Sequence, residues 1–224
     1  GVTQFFRNPD AFQALRDGVL NELLSTKGAR DPVRVWVPGC ATGEEAYSVA
    51  LLLREQAEQA RMDPDRIEVF ATDVDEEALG TARRGRYPEA VAADIPESYL
   101  RRYFQPDGAE LVVQEAIRDR VLFAPHNVLG DPPFVDLDLV SCRNLLIYLR
   151  RSLQKKALEL FHFGLREDGH LFLGTSETAD PAGNDYRPVS EAHGLYQRRS
   201  VKKSVLRLPS ISPRNRPDRV QART

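Results

Sequence analysis

Apolar residues in this chain occur in two kinds of stretch: short continuous runs, and longer stretches in which they recur on one helical face. The short runs have the length of buried strands, and they cover residues 33–39, 66–73, 120–128, 135–144, 170–177 and 194–199. The longer stretches predict helices, at residues 8–24, 44–60, 74–85, 97–104 and 152–169. We expect Asn8 to cap the first of these helices, Ser152 to cap the last, and Gly169 to end it.

Strands and helices alternate for most of the length, which predicts an α/β fold with a doubly wound, mostly parallel sheet. The turn signal Pro106-Asp107-Gly108 lies between apolar segments and predicts a small β-hairpin insertion at about residues 103–116. Ligands of such folds bind outside the carboxyl ends of the strands. The ends to inspect are residues 39–45, 73, 126–128, 141–144 and 174–177.

Charge divides the chain into two parts. The net charge over 224 residues is −2, so no overall field favours nucleic acid or a membrane. Residues 198–224, however, carry nine Arg or Lys against one Asp, with three prolines. We therefore expect a domain over residues 1–199 and a basic tail or linker over 200–224, with an electrostatic docking arm as the alternative.

Cysteine content and hydropathy indicate a cytoplasmic protein that does not insert into membranes. Cys40 and Cys142 lack metal-ligand spacing, and they are expected to be reduced thiols. No apolar run reaches the ~18 residues of a membrane helix, and no signal peptide opens the chain. An ordered motif at the very start suggests that the chain was cut from a longer protein.

The loop VPGCATGEEAYS, residues 37–48, joins the first strand to a helix through Gly39 and Gly43. A phosphate is disfavoured there, because Glu44 and Glu45 would repel it and the spacing matches no phosphate-binding loop. The bland interpretation of Glu45 is a capping box with Thr42. The functional interpretation is that the carboxylate holds a cationic ligand.

Asp73 ends the second strand, where a carboxylate can accept hydrogen bonds from both ribose hydroxyls of a nucleoside. The alternative is an N-cap for the next helix, a role that Asp75 fits equally well. Together with the acidic loop, Asp73 favours a nucleoside that carries positive groups, such as S-adenosylmethionine. Asn127 and Asn144 follow later strands and could read an adenine edge, although each alone is more typical of a turn.

These features resemble the chemotaxis receptor methyltransferases, the CheR family, and most of all the CheR domain of CheB/CheR hybrid proteins. The matching stretches are TQFFR (3–7), GCATGEEAYS (39–48), FATDVD (70–75), HNV (126–128), SCRNLLIYL (141–149) and LREDGHLFLGTSE (165–177). The resemblance implies the fold of class I S-adenosylmethionine methyltransferases. It implies methyl transfer from that cofactor to receptor glutamates, giving a glutamate methyl ester and S-adenosylhomocysteine.

The resemblance also implies roles for individual residues. The cofactor contacts, with Gly39 added from the loop, are Thr3, Arg7, Gly39, Glu45, Asp73, Asn127, Val128, Arg143 and Asn144. Arg7 and Tyr148 are expected to line the place of methyl transfer, and no metal is expected. The plainer alternatives are a surface salt bridge for Arg7 and a core aromatic residue for Tyr148.

The implied partner is a protein substrate, the cytoplasmic region of a chemoreceptor or a similar signalling protein, with flanking signalling domains. Two departures bear on this partner: Gly1 stands where the family commonly has Asn, and the family's helical N-terminal domain is missing from the sequence. A non-catalytic sensor of the same cofactor is the first alternative function. A dinucleotide-dependent oxidoreductase is the second, and the missing G-x-G-x-x-G argues against it.

Overall fold

The computed structural model of the chain describes residues 3–28 and 31–200. The predicted tail, from residue 201 onward, and Gly1 lie outside these residues. The main sheet has seven strands in the order β6-β2-β1-β7-β8-β10-β9. Their bounds are β1 Val33–Pro38, β2 Ile67–Asp73, β6 Val121–Pro125, β7 Leu137–Cys142, β8 Leu165–Leu173, β9 Tyr186–Ser190 and β10 Leu195–Arg198.

The sheet is mostly parallel, as predicted. Strands β6, β2, β1, β7 and β8 pair in parallel, whereas β10 is antiparallel to both of its neighbours. The strands β1 and β2 are adjacent, so their carboxyl ends, at Pro38 and Asp73, open at the same edge of the sheet. The predicted fold class, a doubly wound α/β sheet with a small β insertion, is confirmed.

Helices cover both faces of this sheet. Their bounds are α1 Pro9–Leu15, α2 Asn21–Thr26, α3 Glu44–Gln59, α4 Glu76–Arg84, α5 Glu97–Tyr103, α6 Glu115–Arg118 and α7 Arg151–Gly164. A single π-helical turn, Arg16–Leu20, joins α1 to α2. One buried cluster includes Val35 and Val37 with residues of α1, α3 and α4, and the other includes Trp36 with α7. Alternate residues of β1 thus enter opposite cores, as the period of a strand requires.

The predicted hairpin is present and belongs to a second sheet. Strands β4 (Phe104–Asp107) and β5 (Glu110–Val113) form it, and β3 (Arg86–Pro88) pairs with β5 in the order β3-β5-β4. The sequence did not predict β3. Within the described residues, no helix has the length and apolar composition needed to cross a bilayer.

The predicted ends of two helices are wrong. Asn8 precedes α1 but makes no capping bond, and its backbone is left-handed with φ of 61°. Ser152 lies inside α7 instead of before it. Helix α7 ends at Gly164, where an added Cβ would come 2.4 Å from the Phe134 carbonyl oxygen, so the chain needs glycine there.

The polar residues before Gly169 belong to strand β8, not to the helix. The pairing of β8 with β7 shifts register between Leu137 and Leu139, which leaves a bulge around Asp168, with φ of 62°. Bulges place extra polar residues in a strand without breaking it. A polar run that resembles a helix terminus is therefore part of a long buried strand.

Candidate functional site

A cleft of about 210 Å³ opens at the carboxyl ends of β1, β2 and β7. Eight of the residues singled out from the sequence line it, and they come from four separate segments of the chain. They are Thr3, Arg7, Gly39, Glu45, Asp73, Arg143, Asn144 and Tyr148. The parallel sheet gathers them because it brings these strand ends to one edge.

The loop after β1 forms one wall of the cleft. Gly39 has φ of 68°, and a Cβ at this position would touch the Leu145 side chain at 3.1 Å. Gly43 has φ of 97° and precedes α3 as its N-cap. The backbone N–H of Cys40 donates to the Thr72 carbonyl at 3.0 Å, which ties the loop to β2. The two glycines are thus required by the backbone turn and by close packing.

The capping box expected between Thr42 and Glu45 does not form. The N-cap position is Gly43, one residue later, and the Thr42 hydroxyl donates to the Glu44 carboxylate at 2.7 Å. Glu44 is buried, and desolvation raises its pKa despite bonds from Thr42 and Thr3. The two acids therefore differ: Glu44 is buried and accepts a hydrogen bond from Thr42 of the same loop, whereas Glu45 lines the cleft.

Glu45 bonds two residues at the end of β7. Its Oε1 accepts from the Ser141 hydroxyl at 2.7 Å, and its Oε2 accepts from Arg143 Nη1 at 3.1 Å. The Glu45 side chain keeps 14% of its surface exposed, whereas that of Arg143 keeps 1%. Glu45 is thus a fixed carboxylate with one side still open to the cleft.

Arg143 joins the N-terminal segment to the sheet. Its Nη2 donates to the Arg7 carbonyl at 2.7 Å and to Asn8 Oδ1 at 3.0 Å. The guanidinium also lies over the rings of Phe12 and Phe172, at 5.1 and 4.6 Å from their centroids. Asn8 therefore uses its side chain to bind Arg143, which is why it does not cap α1.

Asp73 accepts two backbone N–H groups. Its Oδ2 accepts from Ala41 at 2.8 Å and its Oδ1 from Asp75 at 3.0 Å. Asp75, in contrast, caps α4 by accepting from Glu77 and Ala78. The N-cap alternative for Asp73 is therefore wrong. Each carboxylate oxygen can accept more than one bond, so Asp73 retains acceptor capacity toward the cleft.

Asn127 and Val128 follow β6 and are not among the residues that line the cleft. Asn127 Oδ1 accepts from the Leu129 N–H at 3.0 Å within a local turn, and its backbone N–H donates to Asp131. The segment still lies beside Asp73, because the His126 N–H donates to the Asp73 carbonyl at 3.0 Å.

The turn after β7 carries Asn144 and Tyr148, and a buried carboxylate holds it. Glu177 accepts from the backbone N–H groups of Asn144 and Gly174, each at 2.8 Å, and of Ile147 at 3.3 Å. A Cβ on Gly174 would lie 2.8 Å from Glu177 Oε2, so this carboxylate also requires the glycine. The sequence pattern indicates only a strand end at residues 174–177 and no role for Glu177.

Tyr148 and Arg7 also line the cleft, and Tyr148 stands at its mouth. The Tyr148 side chain is 71% exposed. Its exposure rules out the interpretation of Tyr148 as a core aromatic residue. Arg7 is half-buried, and its backbone carbonyl accepts from Arg143. The cleft therefore combines the carboxylates of Glu45 and Asp73 with a guanidinium and, at its rim, a phenol.

The two thiols are buried and protonated. Desolvation raises the pKa of Cys40 to about 12 and that of Cys142 well above its ordinary value. A thiol with such a pKa is a poor nucleophile at neutral pH. Among the residues that the structure describes, no group of three or more His, Cys, Asp or Glu side chains could hold a metal ion.

The chain is similar to one family model and to several known proteins. The family model described as "CheR methyltransferase, SAM binding domain" matches residues 1–194. A Rhodobacter capsulatus protein called "Uncharacterized 104.1 kDa protein in hypE 3'region" is 42% identical over 196 residues, covering 88% of this chain and 20% of that protein. The "Putative methyltransferase Cher3" of Pseudomonas putida is 36% identical over 187 residues, covering 80% of this chain and 65% of that protein.

A further relative and a solved structure complete the comparison. "Chemotaxis protein methyltransferase Cher2" of Pseudomonas putida is 31% identical over 199 residues, covering 86% of this chain and 71% of that protein. The DszA carbon methyltransferase structure aligns with a TM-score of 0.45 at 18% identity, covering 69% of this chain and 31% of that one. The chain spans a fifth of the first relative and about two thirds of the second. By the family match over residues 1–194, this chain belongs to the CheR methyltransferase S-adenosylmethionine-binding domain family.

Proposed function

We propose that this domain transfers the methyl group of S-adenosylmethionine to glutamate side-chain carboxylates of chemoreceptor-like proteins. The observation that carries the proposal is the cleft itself, which brings the fixed carboxylates of Glu45 and Asp73 together with Arg7 and Tyr148. Relatives named chemotaxis protein methyltransferases support the same activity. The products are a glutamate methyl ester and S-adenosylhomocysteine.

The residues of the cleft suit this cofactor. Its sulfonium and α-ammonium groups are positive, and the loop over residues 39–45 contributes carboxylates and no Lys or Arg. In our proposal Asp73 accepts from the ribose hydroxyls and Glu45 faces the positive end. The remaining proposed cofactor contacts are Thr3, Arg7, Gly39, Asn127, Val128, Arg143 and Asn144.

Arg143 contributes to the cleft mainly through its bonds to other residues of the chain. Its guanidinium already binds Glu45, the Arg7 carbonyl and Asn8. We therefore propose that it fixes the orientation of Glu45 and the position of Arg7 more than it binds the cofactor directly. We keep Asn127 and Val128 as proposed contacts because they follow His126, whose N–H donates to the Asp73 carbonyl.

Methyl transfer to a carboxylate requires that the two reacting groups be oriented, and it does not require a strong base. A glutamate side chain has a pKa of ~4.3, so the substrate is already an anion at neutral pH. Bound S-adenosylmethionine supplies an electrophilic methyl group on a positive sulfur. Arg7 can hold the substrate carboxylate through a two-point fork, and Tyr148 can donate to the same group. Because the transfer cancels two charges, excluding water from the cleft favours the transition state.

The partner and setting follow from the same proposal. The substrate is the cytoplasmic region of a chemoreceptor or a similar signalling protein, and the domain acts in the cytoplasm. The chain covers 20% of the Rhodobacter capsulatus relative, which leaves room in such proteins for flanking signalling domains.

Two measurements test the proposed function. The first is a calorimetric titration with S-adenosylhomocysteine, with NAD as the control ligand. We expect micromolar binding that weakens sharply in Asp73→Ala, because the ribose loses its acceptor. The second is methyl incorporation into receptor cytoplasmic fragments, which Arg7→Ala should abolish while most cofactor affinity remains. Binding without incorporation would instead support a sensor, and failure of both would end the proposal.

A further inference from the structure

A strip of exposed cationic and apolar side chains borders the cleft on the side of Tyr148. We call it the 147–155 strip, and it consists of Ile147, Tyr148, Arg150, Arg151, Leu153 and Lys155. Ile147 is 48% exposed, Tyr148 71% and Leu153 37%. The strip covers the turn after β7 and the first turns of α7, so it is continuous with the rim of the cleft.

The charges of this strip lie where they do not stabilise the fold. Arg150 is the N-cap residue of α7 and Arg151 is its first residue, and the first turn contains no acid. The N-terminus of a helix carries partial positive charge, so cations there are unfavourable. Within residues 3–28 and 31–200, neither arginine side chain makes a hydrogen bond or an ion pair, and Lys155 has a single pairing, with Glu159 at 3.9 Å. Folding therefore gives no reason for these cations.

The strip combines apolar contact area with cations, as an interface for an acidic amphipathic segment requires. Apolar side chains at the centre and charges at the rim are typical of protein interfaces. An amphipathic helix binds such a surface through its apolar face, and complementary charge increases the rate and specificity of binding.

We propose that the 147–155 strip docks an acidic helical segment of the protein substrate, the segment that contains the target glutamate. This inference rests on the proposed function. It adds that recognition extends beyond the target carboxylate to acidic residues next to it on the same helix, and that these residues pair with Arg150 and Arg151.

Distances along the two chains are compatible with this pairing. Arg150 is two residues from Tyr148, so their Cα atoms are at most about 7 Å apart. On a substrate helix, a residue one turn from the target glutamate lies about 5–6 Å away. A glutamate three or four positions from the target would thus come within reach of Arg150 while the target faces Tyr148.

Binding of a peptide tests the strip independently of catalysis. The probe is a fluorescent helical peptide of about 20 residues, long enough to be helical alone, with leucines on one face and glutamates beside it. We expect Arg150→Glu/Arg151→Glu to weaken its binding about ten-fold or more, because like charges then face each other. The same variant should bind S-adenosylhomocysteine as the wild type does, which also shows that it is folded.

Arg61→Glu is the control, and it is compared with Arg150→Glu alone so that each variant reverses one charge. Arg61 is exposed and follows α3, a helix of 16 residues that begins at the cleft, so it lies about 24 Å away along that helix. At ordinary salt, a charge at that distance is screened. We expect Arg61→Glu to change peptide binding by less than about two-fold. Equal effects of the single variants Arg150→Glu and Arg61→Glu would overturn the proposal, because net charge alone would then explain them.

Two other arms complete the test. A peptide with glutamines in place of the flanking glutamates should bind the wild type more weakly and be insensitive to Arg150→Glu/Arg151→Glu. Single-stranded DNA and anionic lipid vesicles serve as competing polyanions, and tighter binding of either at the strip would overturn the choice of partner. Peptide binding that depends on the strip, without methyl incorporation, would uphold docking and reject only the proposed function.

Discussion

Tyr148 presents its phenol at the rim of the cleft, on a turn whose backbone is fixed by other residues. We predict that Tyr148→Phe lowers the rate of methyl transfer about 10- to 1,000-fold, in line with the loss of one oriented donor. The affinity for S-adenosylhomocysteine should stay within experimental error of the wild type, because the ring remains. Single-turnover rates and calorimetry measure the two effects. Unchanged turnover would remove Tyr148 from the mechanism.

Glu177 offers a second prediction at the level of one residue. It is buried and accepts three backbone N–H groups, two of them through Oε2. Glu177→Ala leaves these donors unpaired, at a cost of about 1–3 kcal/mol each for buried groups. We expect Glu177→Gln to cost less, since one amide oxygen can still replace Oε2.

The activity of these variants reports on positioning. Glu177→Gln should slow methyl transfer when it is the only substitution. It should have a smaller effect in a Tyr148→Phe background, because both changes act through the same turn. Asp138→Asn is the control: Asp138 is also buried and bonded, to Lys27 and Arg166, but it lies at the amino end of strand β7, away from the cleft. Additive effects of Glu177→Gln and Tyr148→Phe would show that Glu177 only stabilises the fold.

Glu44 makes stability depend on pH. Desolvation raises its pKa above the ordinary 4.5, so the folded chain holds this proton to higher pH than the unfolded chain does. The free energy of unfolding must then fall as pH rises through the range above 4.5. Urea unfolding at several pH values should show this fall in the wild type but not in Glu44→Gln. The other titrating groups are common to both proteins, so their contribution cancels in the difference between the two free energies of unfolding. A constant difference between the two proteins would contradict the prediction.

The residues of the site could be found from the sequence, but not all of their bonds. Glycines and acids at strand ends predicted the cleft, because strand ends meet wherever the sheet is parallel. The partners of Glu45 and Asn8 could not be predicted: both bind Arg143, which is distant in the sequence. Glu177 was missed for a similar reason, since its role depends on backbone groups about 30 residues away.

At the level of elements, periodicity predicted the long helices and the buried strands correctly. It missed β3 and β9, because each is short and forms by pairing with strands that are adjacent only in the fold. It also placed the end of α7 too late, since the polar bulge of β8 has the composition of a helix terminus. The true end is set by close packing at Gly164, which a sequence pattern does not reveal.

Gly164 leads to a prediction about this helix end. A Cβ there would lie 2.4 Å from the Phe134 carbonyl oxygen, so Gly164→Ala must displace backbone. We expect a loss of about 1–3 kcal/mol in the free energy of unfolding. Gly80→Ala is the matched control: Gly80 lies inside α4 with only Arg84 Nη1 nearby, at 3.7 Å, so alanine should stabilise by about 0.5–1 kcal/mol. Chemical denaturation of both variants measures the contrast, and losses of similar size would refute it.

At the scale of the whole molecule, Arg143 connects the N-terminal segment, the first turn of α3 and the end of β7. Its guanidinium binds Glu45, the Arg7 carbonyl and Asn8, and it lies between two aromatic rings. A lysine has one ammonium group and cannot form this planar set of bonds. The shape of the cleft therefore depends on a residue whose role is mostly internal.

Arg143→Lys should consequently damage stability and cofactor binding together. We expect a loss of about 1–3 kcal/mol, because lysine keeps the charge but leaves buried acceptors unpaired, and weaker binding of S-adenosylhomocysteine because Glu45 loses part of its support. Arg54→Lys is the control, since Arg54 pairs with Glu58 on a half-exposed helix face and the change should cost under about 0.5 kcal/mol. Urea unfolding and calorimetry on both variants measure these effects. If Arg143→Lys were destabilised yet bound the ligand normally once folded, the N-terminal segment would not depend on Arg143 for its place in the cleft.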